Sequence, residues 1–273
     1  MCSAFLRAMA AAMLLLLIAG PASARDLRVC ADPNNLPFSN QQQQGFENAI
    51  AAVIAEALHA DLRYTWWAER RGFIRNTLNA GRCDLIPGVP VKLERLRTTE
   101  PYYRSTYVFA SRSKDGLEIA SFDDPQLARL KVGVQIVGDD GANTPPVHAL
   151  NRRGIVDNLR GYALYGDYGR PDPAAAIMEA LGRGDIDVAV VWGPFAGFYA
   201  KRHPGLIAMH PVSPAVDPPG LPMTFAIAMG VRKDDDALYR DVEAALQSQR
   251  RRIEAILDRF GVPRIDQVVE AVH

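Results

Sequence analysis

The side chains best suited to chemistry in this chain are polar and aromatic residues that directly follow short apolar runs. Asp32, Asn34 and Asn35 follow one such run, and Trp192 and Gly193 end another. Carboxylates, amides and aromatic rings bind small ligands through hydrogen bonds and packing. We therefore predict a ligand-binding site made of Asp32, Asn34, Asn35, Phe38, Gly88, Pro90, Arg95, Tyr102, Asp139, Asn143, Trp192 and Gly193.

The sequence offers no pattern of catalytic residues. We find no Ser-His-Asp set and no Cys-His pair, and the five histidines have no metal-ligand spacing. The adjacent carboxylates Asp139 and Asp140 are too common in loops to indicate acid–base catalysis. We predict a binding protein rather than an enzyme, with no cofactor and no metal.

Some of the predicted site residues also have a purely structural interpretation. Asp32 and the two asparagines could simply cap a turn, and Asp139 with Asn143 could cap the helix that follows. We favour a place in the ligand site for Asp32, Asn34 and Asn35, because ligands of open α/β sheets lie outside the carboxyl ends of strands. For Asp139 and Asn143 both interpretations stay open.

Alternating strand and helix patterns must position these residues. The first part of the chain predicts a strand at 27–31, a helix from Phe46, a strand at 62–67, a helix at 70–80 and a strand at 83–86. The cluster from Pro87 to Pro90 then predicts a turn. This order indicates a parallel sheet with helical crossovers.

A similar pattern restarts after Ser111 and is followed by a strand at 224–231 and one long helix at 236–260. We predict an α/β fold with two lobes and a hinge, the Venus-flytrap arrangement. Lobe one comprises 27–110 plus 223–273, and lobe two comprises 111–222. Because the chain would cross between the lobes twice, the predicted site residues would face one another across a cleft.

The composition and the N-terminal segment indicate where the protein is located and which partners it does not bind. The 273 residues carry 31 basic and 31 acidic side chains, which gives no electrostatic case for nucleic acid or an anionic membrane. Arg7, the apolar run 8–19 and Ala22-Ser23-Ala24 predict a secretory signal cleaved after Ala24. We therefore predict a periplasmic protein with no membrane insertion after cleavage.

Two further groups of residues could matter in that setting. Cys30 and Cys83 lie on predicted neighbouring strands, so they form either a disulfide or a pair of buried thiols. Arg70, Arg71 and Arg75 cluster at a predicted helix start, which is electrostatically unfavourable. They are either a solvated face or a contact surface for an acidic partner.

Three separated strings carry a resemblance to a known family. L-R-V-C-A-D-P-N-N-L-P-F-S-N, R-R-G-F-I-R-N-T-L-N-A-G-R-C-D and E-P-Y-Y-R-S-T-Y-V-F are very similar to the MoxJ/XoxJ type, the solute-binding-like proteins associated with PQQ-dependent methanol dehydrogenases. Within the wider type II periplasmic solute-binding fold, the chain resembles family 3, the polar amino acid receptors. The resemblance implies that the partners are a PQQ-dependent methanol dehydrogenase and its cytochrome c.

The chain departs from the amino acid receptors of this family in two places. Such receptors hold the α-carboxylate with a Thr and an Arg, and here the segment after Arg95 is shorter than usual. The position where the family places an acid for the ammonium group holds Trp192, which has one donor and no acceptor. We expect an accessory protein that binds a small ligand or a protein segment. The alternatives are an ABC-transporter receptor for a small polar solute such as an amino acid, and a dehydratase-like enzyme.

Overall fold

The computed structural model describes residues 25–137, 143–165 and 167–265. Its strands are β1 Asp26–Ala31, β2 Asn34–Asn35, β3 Ser39–Asn40, β4 Asp61–Trp66, β5 Leu85–Pro90, β6 Arg97–Thr98, β7 Tyr103–Arg112, β8 Val132–Ile136, β9 Leu159–Ala163, β10 Val188–Trp192, β11 Ile207–Pro211, β12 Val216–Asp217, β13 Leu221–Pro222 and β14 Thr224–Val231. Its α-helices are α1 Phe46–Ala57, α2 Phe73–Asn76, α3 Pro145–Arg152, α4 Ala176–Arg183, α5 Gly193–Arg202, α6 Asp236–Ser248 and α7 Arg250–Arg259.

Eight of the strands form one hydrogen-bonded path in the order β4-β1-β5-β14-β7-β10-β8-β9, with β11 paired to β7 and β6 to β14, while β2 pairs with β3 and β12 with β13 in two small separate sheets. The α/β class is therefore confirmed, and the predicted parallel pairing of β1 with β4 and β5 is present. The long strand β7 pairs with a different strand in each of its halves. Its residues 103–106 pair with β14, and its residues 107–111 pair with β10.

The apolar core falls into four clusters that follow this division of β7. Two clusters draw on residues between Leu27 and Tyr103 and between Phe225 and Val262. The other two draw on residues between Tyr107 and Met223. The long strands β7 and β14 thus run from one packed body towards the other, which places the ends of several strands next to each other.

The prediction of a turn at 87–90 was wrong, because these residues extend β5. Val89 and Pro90 pair with Ala228 and Ile227 of β14, and the register shifts between Ala228 and Gly230. A proline has no N–H to donate, so a strand tolerates it at such an irregularity. β5 therefore carries Gly88 and Pro90 beyond the point where the prediction ended it.

Two helix predictions also need correction. The helix predicted at 70–80 is only the four-residue α2, since Gly72 has a left-handed φ of 91° and Thr77 leaves helical geometry while its hydroxyl donates to the carbonyl of Phe73. The single helix predicted at 236–260 is broken at Gln249 into α6 and α7. The break lets both pieces pack against α1.

Cys30 and Cys83 are joined by a disulfide, with their Cα atoms 5.5 Å apart and both side chains fully buried. The bond links β1 to the segment just before β5. In the part of the chain that the structure describes, no helix is long and apolar enough to cross a membrane.

Candidate functional site

A cavity of about 360 Å³ lies where β7, β10 and β14 converge. Among the described residues, six of the thirteen that line it are aromatic and one is charged. The lining residues are Asn35, Phe38, Glu69, Pro90, Tyr107, Gln135, Leu164, Tyr165, Ala174, Trp192, Phe195, Phe225 and Ile227. The volume suits a ligand of modest size.

Three rings of the wall pack edge-on against one another. Trp192 and Tyr107 are direct partners in the β10–β7 ladder, and their ring centroids lie 5.3 Å apart. Phe225, the second residue of β14, completes the group at 5.8 Å from Trp192 and 6.5 Å from Tyr107. The sheet register therefore sets these rings rigidly, since each belongs to a strand rather than to a loop.

Glu69 supplies the charged group of the wall. It follows β4 and its carboxyl interacts with Asn35 by a hydrogen bond. Burial and the nearby charge of Asp32 raise the pKa of Glu69 from 4.5 to about 7, while the bond to Asn35 lowers it in part. A carboxyl in this setting changes its charge near neutral pH.

Asp32 lies beside the cavity, buried and fully hydrogen-bonded. Its carboxylate accepts from the backbone N–H of Asn34 at 2.8 Å, from the backbone N–H of Glu69 at 2.7 Å and from the hydroxyl of Tyr168 at 2.5 Å. Asp32 thus ties the loop after β1 to the loop after β4 and to the segment after β9. Burial and the bond to Asp32 raise the pKa of Tyr168, so its hydroxyl keeps its proton.

Two further contacts join the same segments. The side-chain amide of Asn34 donates to the carbonyl of Arg170 at 2.8 Å. The guanidinium of Arg70 lies 4.6 Å from the ring centroid of Tyr168 and 6.0 Å from that of Tyr165. We call the contacts of Asp32, Asn34 and Arg70 with Tyr165, Tyr168 and Arg170 the bridging contacts.

Asn35, Phe38, Pro90 and Trp192 are the predicted site residues that line the cavity. Asp32 and Asn34 stand directly behind this wall and make the bridging contacts instead.

Gly88, Gly193 and Tyr102 are packed against protein groups. A Cβ on Gly88 would collide with the carboxyl of Glu47, and a Cβ on Gly193 would collide with the carbonyl of Thr106. The hydroxyl of Tyr102 donates to the carbonyl of Pro87 at 3.0 Å. None of these three residues lines the cavity, and Tyr102 instead lines a second cavity, of about 550 Å³, between the start of β7 and helices α6 and α7.

The remaining predicted residues lie away from the cavity or outside the described ranges. Arg95 is exposed and does not line the cavity. Asn143 forms an isolated bridge with Ile136 at the end of β8, and Asp139 is outside the described residues. Of the arginine cluster, Arg71 and Arg75 are exposed and Arg70 makes a bridging contact.

Sequence reasoning missed Glu69, Tyr107, Tyr165 and Phe225. Glu69 and Tyr165 each follow a parallel strand at its carboxyl end, which is the signal that identified Asp32. Tyr107 and Phe225 gave no such signal, because they lie inside strands and enter the wall only through the pairing of β7 with β10 and β14.

The described residues contain no group of three or more His, Cys, Asp or Glu side chains that could hold a metal ion.

Glu47 comes near the acidic side chains behind the cavity, and burial together with the charges of Glu69 and Asp32 raises the pKa of Glu47 well above 4.5. The site therefore combines an aromatic wall with carboxyl groups of raised pKa.

Comparison with known proteins assigns the chain to a family. The chain is 34% identical to MoxJ of Methylorubrum extorquens over 87% of its own length and 81% of that protein. It is 29% identical to MoxJ of Paracoccus denitrificans, covering 91% of this chain and 93% of that one.

The periplasmic binding protein XoxJ from Methylobacterium extorquens AM1 has the same fold. It superposes with a TM-score of 0.71 at 36% identity, covering 88% of this chain and 99% of XoxJ. Residues 27–262 match the sequence pattern of the bacterial extracellular solute-binding proteins, family 3, and the chain belongs to that family.

Proposed function

We propose that this chain is a periplasmic accessory protein of a PQQ-dependent methanol dehydrogenase system, which binds a ligand or a partner segment in its cavity without catalysis. The similarity to MoxJ and XoxJ over most of the chain supports the association. The observation that carries the binding role is the wall itself: six aromatic rings and one carboxyl, with no cationic side chain to hold an α-carboxylate.

The proposal includes the architecture predicted from the sequence. A leader at 1–24 would direct the chain to the periplasm. Lobe one at 27–110 plus 223–273 and lobe two at 111–222 would close over the occupant of the cavity, and the bridging contacts would hold the closed form. Trp192, on the β10 side, and Asn35, on the β1 side, would then meet the same ligand.

The partners in this proposal are the dehydrogenase and its cytochrome c. Of the arginine cluster, Arg75 is exposed and follows the loop that carries Glu69, so we propose that it faces an acidic partner surface. Charges at the rim of an interface mainly steer association and respond to ionic strength. We expect binding to the partner to weaken as salt increases.

The test is a pull-down of tagged protein from the periplasm of methanol-grown cells at low and high salt. We expect recovery of the dehydrogenase or its cytochrome c, with lower yield for Arg75→Glu. Lys114→Glu, an exposed charge reversal far along the chain, is the matched control. Recovery of permease components without dehydrogenase or cytochrome would overturn the association.

Family membership favours one second candidate, a transporter receptor for a small polar solute. A receptor should show a thermal shift with its solute, because a ligand that binds only the folded state stabilises it. Screening polar solutes such as amino acids by thermal shift separates this candidate from the first.

A further inference from the structure

The described residues place several carboxyl groups at the cavity, and none of the described lining residues is a cation. Glu69 is its charged lining residue, and the carboxyls of Asp32 and Glu47 lie behind it. The guanidinium of Arg70, the next residue in sequence, lies over the rings of Tyr165 and Tyr168. A carboxylate in an apolar wall is costly unless a cation pairs with it.

The aromatic rings supply the other half of a cation site. Trp192, Tyr107 and Phe225 lie on strands and surround the space that Glu69 faces from the opposite loop. Indole, phenol and phenyl faces attract organic cations, most strongly when water is excluded. The cavity thus offers ring faces to the apolar part of a cation and a carboxylate to its charge.

We propose that the cavity binds an organic ammonium or guanidinium group that carries no carboxylate, with Glu69 as its counter-ion and Tyr107, Trp192 and Phe225 as its aromatic wall. This inference rests on the cavity being the binding site of the proposed function. The cation is either a free amine or a lysine or arginine side chain of a partner protein.

An α-amino acid fits this wall less well than a plain cation. Its carboxylate would need a cationic or backbone clamp, and Arg95, the candidate for that role, is exposed and away from the cavity. The carboxylate would instead meet Glu69 and the charge of Asp32. A neutral alcohol would leave Glu69 unpaired, so it gains only the packing part of the binding energy.

The affinity of the cavity for a cation should also depend on pH. Asp32 raises the pKa of Glu69 and Asn35 lowers it. The charge of Glu69 in turn raises the pKa values of Glu47, Tyr103 and Tyr165. A bound cation favours the ionised form of Glu69 and releases its proton. Affinity should therefore rise about tenfold per pH unit below the pKa of Glu69 and level off above it.

Isothermal titration calorimetry of the mature protein measures the binding of each cation. Tetramethylammonium and n-butylammonium represent a free amine, and Nα-acetyl-lysine methylamide represents a lysine side chain of a partner protein. Neopentanol, a neutral molecule of similar shape to tetramethylammonium, is the control ligand. We expect binding of at least one cation, no binding of neopentanol at the same concentration, and a loss of at least about tenfold in Glu69→Gln. Glu118→Gln, at an exposed site, should bind like the parent protein.

The variant Phe225→Leu keeps the charge and removes one ring, so it should weaken cation binding while retaining the pH dependence. Equal binding of neopentanol and the cations, unchanged affinity in Glu69→Gln, or no binding of any of the three cations would overturn the inference. None of these results depends on recovery of the dehydrogenase in the pull-down, so the two proposals fail separately.

Discussion

Glu69 should lower the stability of the protein as the pH rises. Its pKa is raised from 4.5 to about 7 in the folded state, so between these values the folded protein binds more protons than the unfolded chain. The free energy of unfolding then falls as pH increases through this window. We expect Glu69→Gln, which cannot ionise, to gain up to about 3 kcal/mol relative to the parent protein between pH 5 and pH 8.

Urea unfolding at pH 5, 6, 7 and 8 measures this difference. Glu118→Gln, at an exposed site, is again the control variant. Parallel stability curves for Glu69→Gln and the parent protein would show that Glu69 ionises normally in the folded state.

The site residues differ in how far the sequence could reveal them. Asn35 and Trp192 were predictable because Asn35 lies in the loop after a clear apolar strand and Trp192 ends another, and both line the cavity. Gly88 and Gly193 gave the same signal, yet they are needed for close packing against Glu47 and Thr106. A strand end predicts proximity to the site, whereas direct contact depends on packing distances that no local pattern contains.

Helix α5 approaches its neighbours closely through two glycines. A Cβ on Gly193 would collide with the carbonyl of Thr106, and a Cβ on Gly197 would collide with the carbonyl of Gly261. Because backbone atoms cannot move aside cheaply, we expect Gly193→Ala and Gly197→Ala each to destabilise the fold by about 1–3 kcal/mol. Thermal unfolding of the variants measures the loss.

Gly182 in helix α4 is the matched control for these two glycines. A Cβ there meets only the hydroxyl of Tyr199 at 3.6 Å, an ordinary contact. Gly182→Ala should therefore be neutral or stabilising by up to about 1 kcal/mol, from the higher helix propensity of alanine. A loss in Gly182→Ala equal to that in Gly197→Ala would contradict the packing argument.

The disulfide between Cys30 and Cys83 closes a span of 53 residues that includes α1, β4 and α2. Cross-linking a loop of this length restricts the unfolded chain, which corresponds to about 4 kcal/mol in the chain-entropy treatment. We expect Cys30→Ala with Cys83→Ala to lower the free energy of unfolding by about 2–4 kcal/mol. Equal denaturant midpoints for the double variant and the oxidised protein would contradict this expectation.

Strand β5 shows why element boundaries were harder to predict than element types. The strand itself was expected, but Pro87 and Pro90 indicated a turn, and only the pairing with β14 makes them part of a strand. Helix α2 is shorter than expected for the same reason, since the φ of Gly72 is set by its surroundings. Local patterns identify the centre of an element, and partners distant in sequence decide its ends.

The molecule as a whole is joined in two ways. Strand β7 connects β14 to β10 in the sheet, and the bridging contacts join the loops after β1 and β4 to Tyr165, Tyr168 and Arg170. Covalent and ladder connections keep the bodies attached, whereas the bridging contacts are few and polar. Opening the cavity would therefore break mainly the bridging contacts and leave the sheet intact.

In the proposed two-lobe arrangement, removing the hydroxyl of Tyr168 should shift the molecule towards an open form. Its hydrogen bond to the buried carboxylate of Asp32 is 2.5 Å long, and a bond to a charged group contributes about 1.5–3 kcal/mol. Asp32 keeps its two backbone donors in Tyr168→Phe, so the fold should survive while the closed form loses about tenfold or more in population.

Small-angle X-ray scattering of Tyr168→Phe should then give a larger radius of gyration than for the parent protein. Tyr162→Phe, on β9 against the core of its own body, is the control and should scatter like the parent. Identical curves for all three proteins would show that the hydroxyl of Tyr168 does not hold the cavity closed.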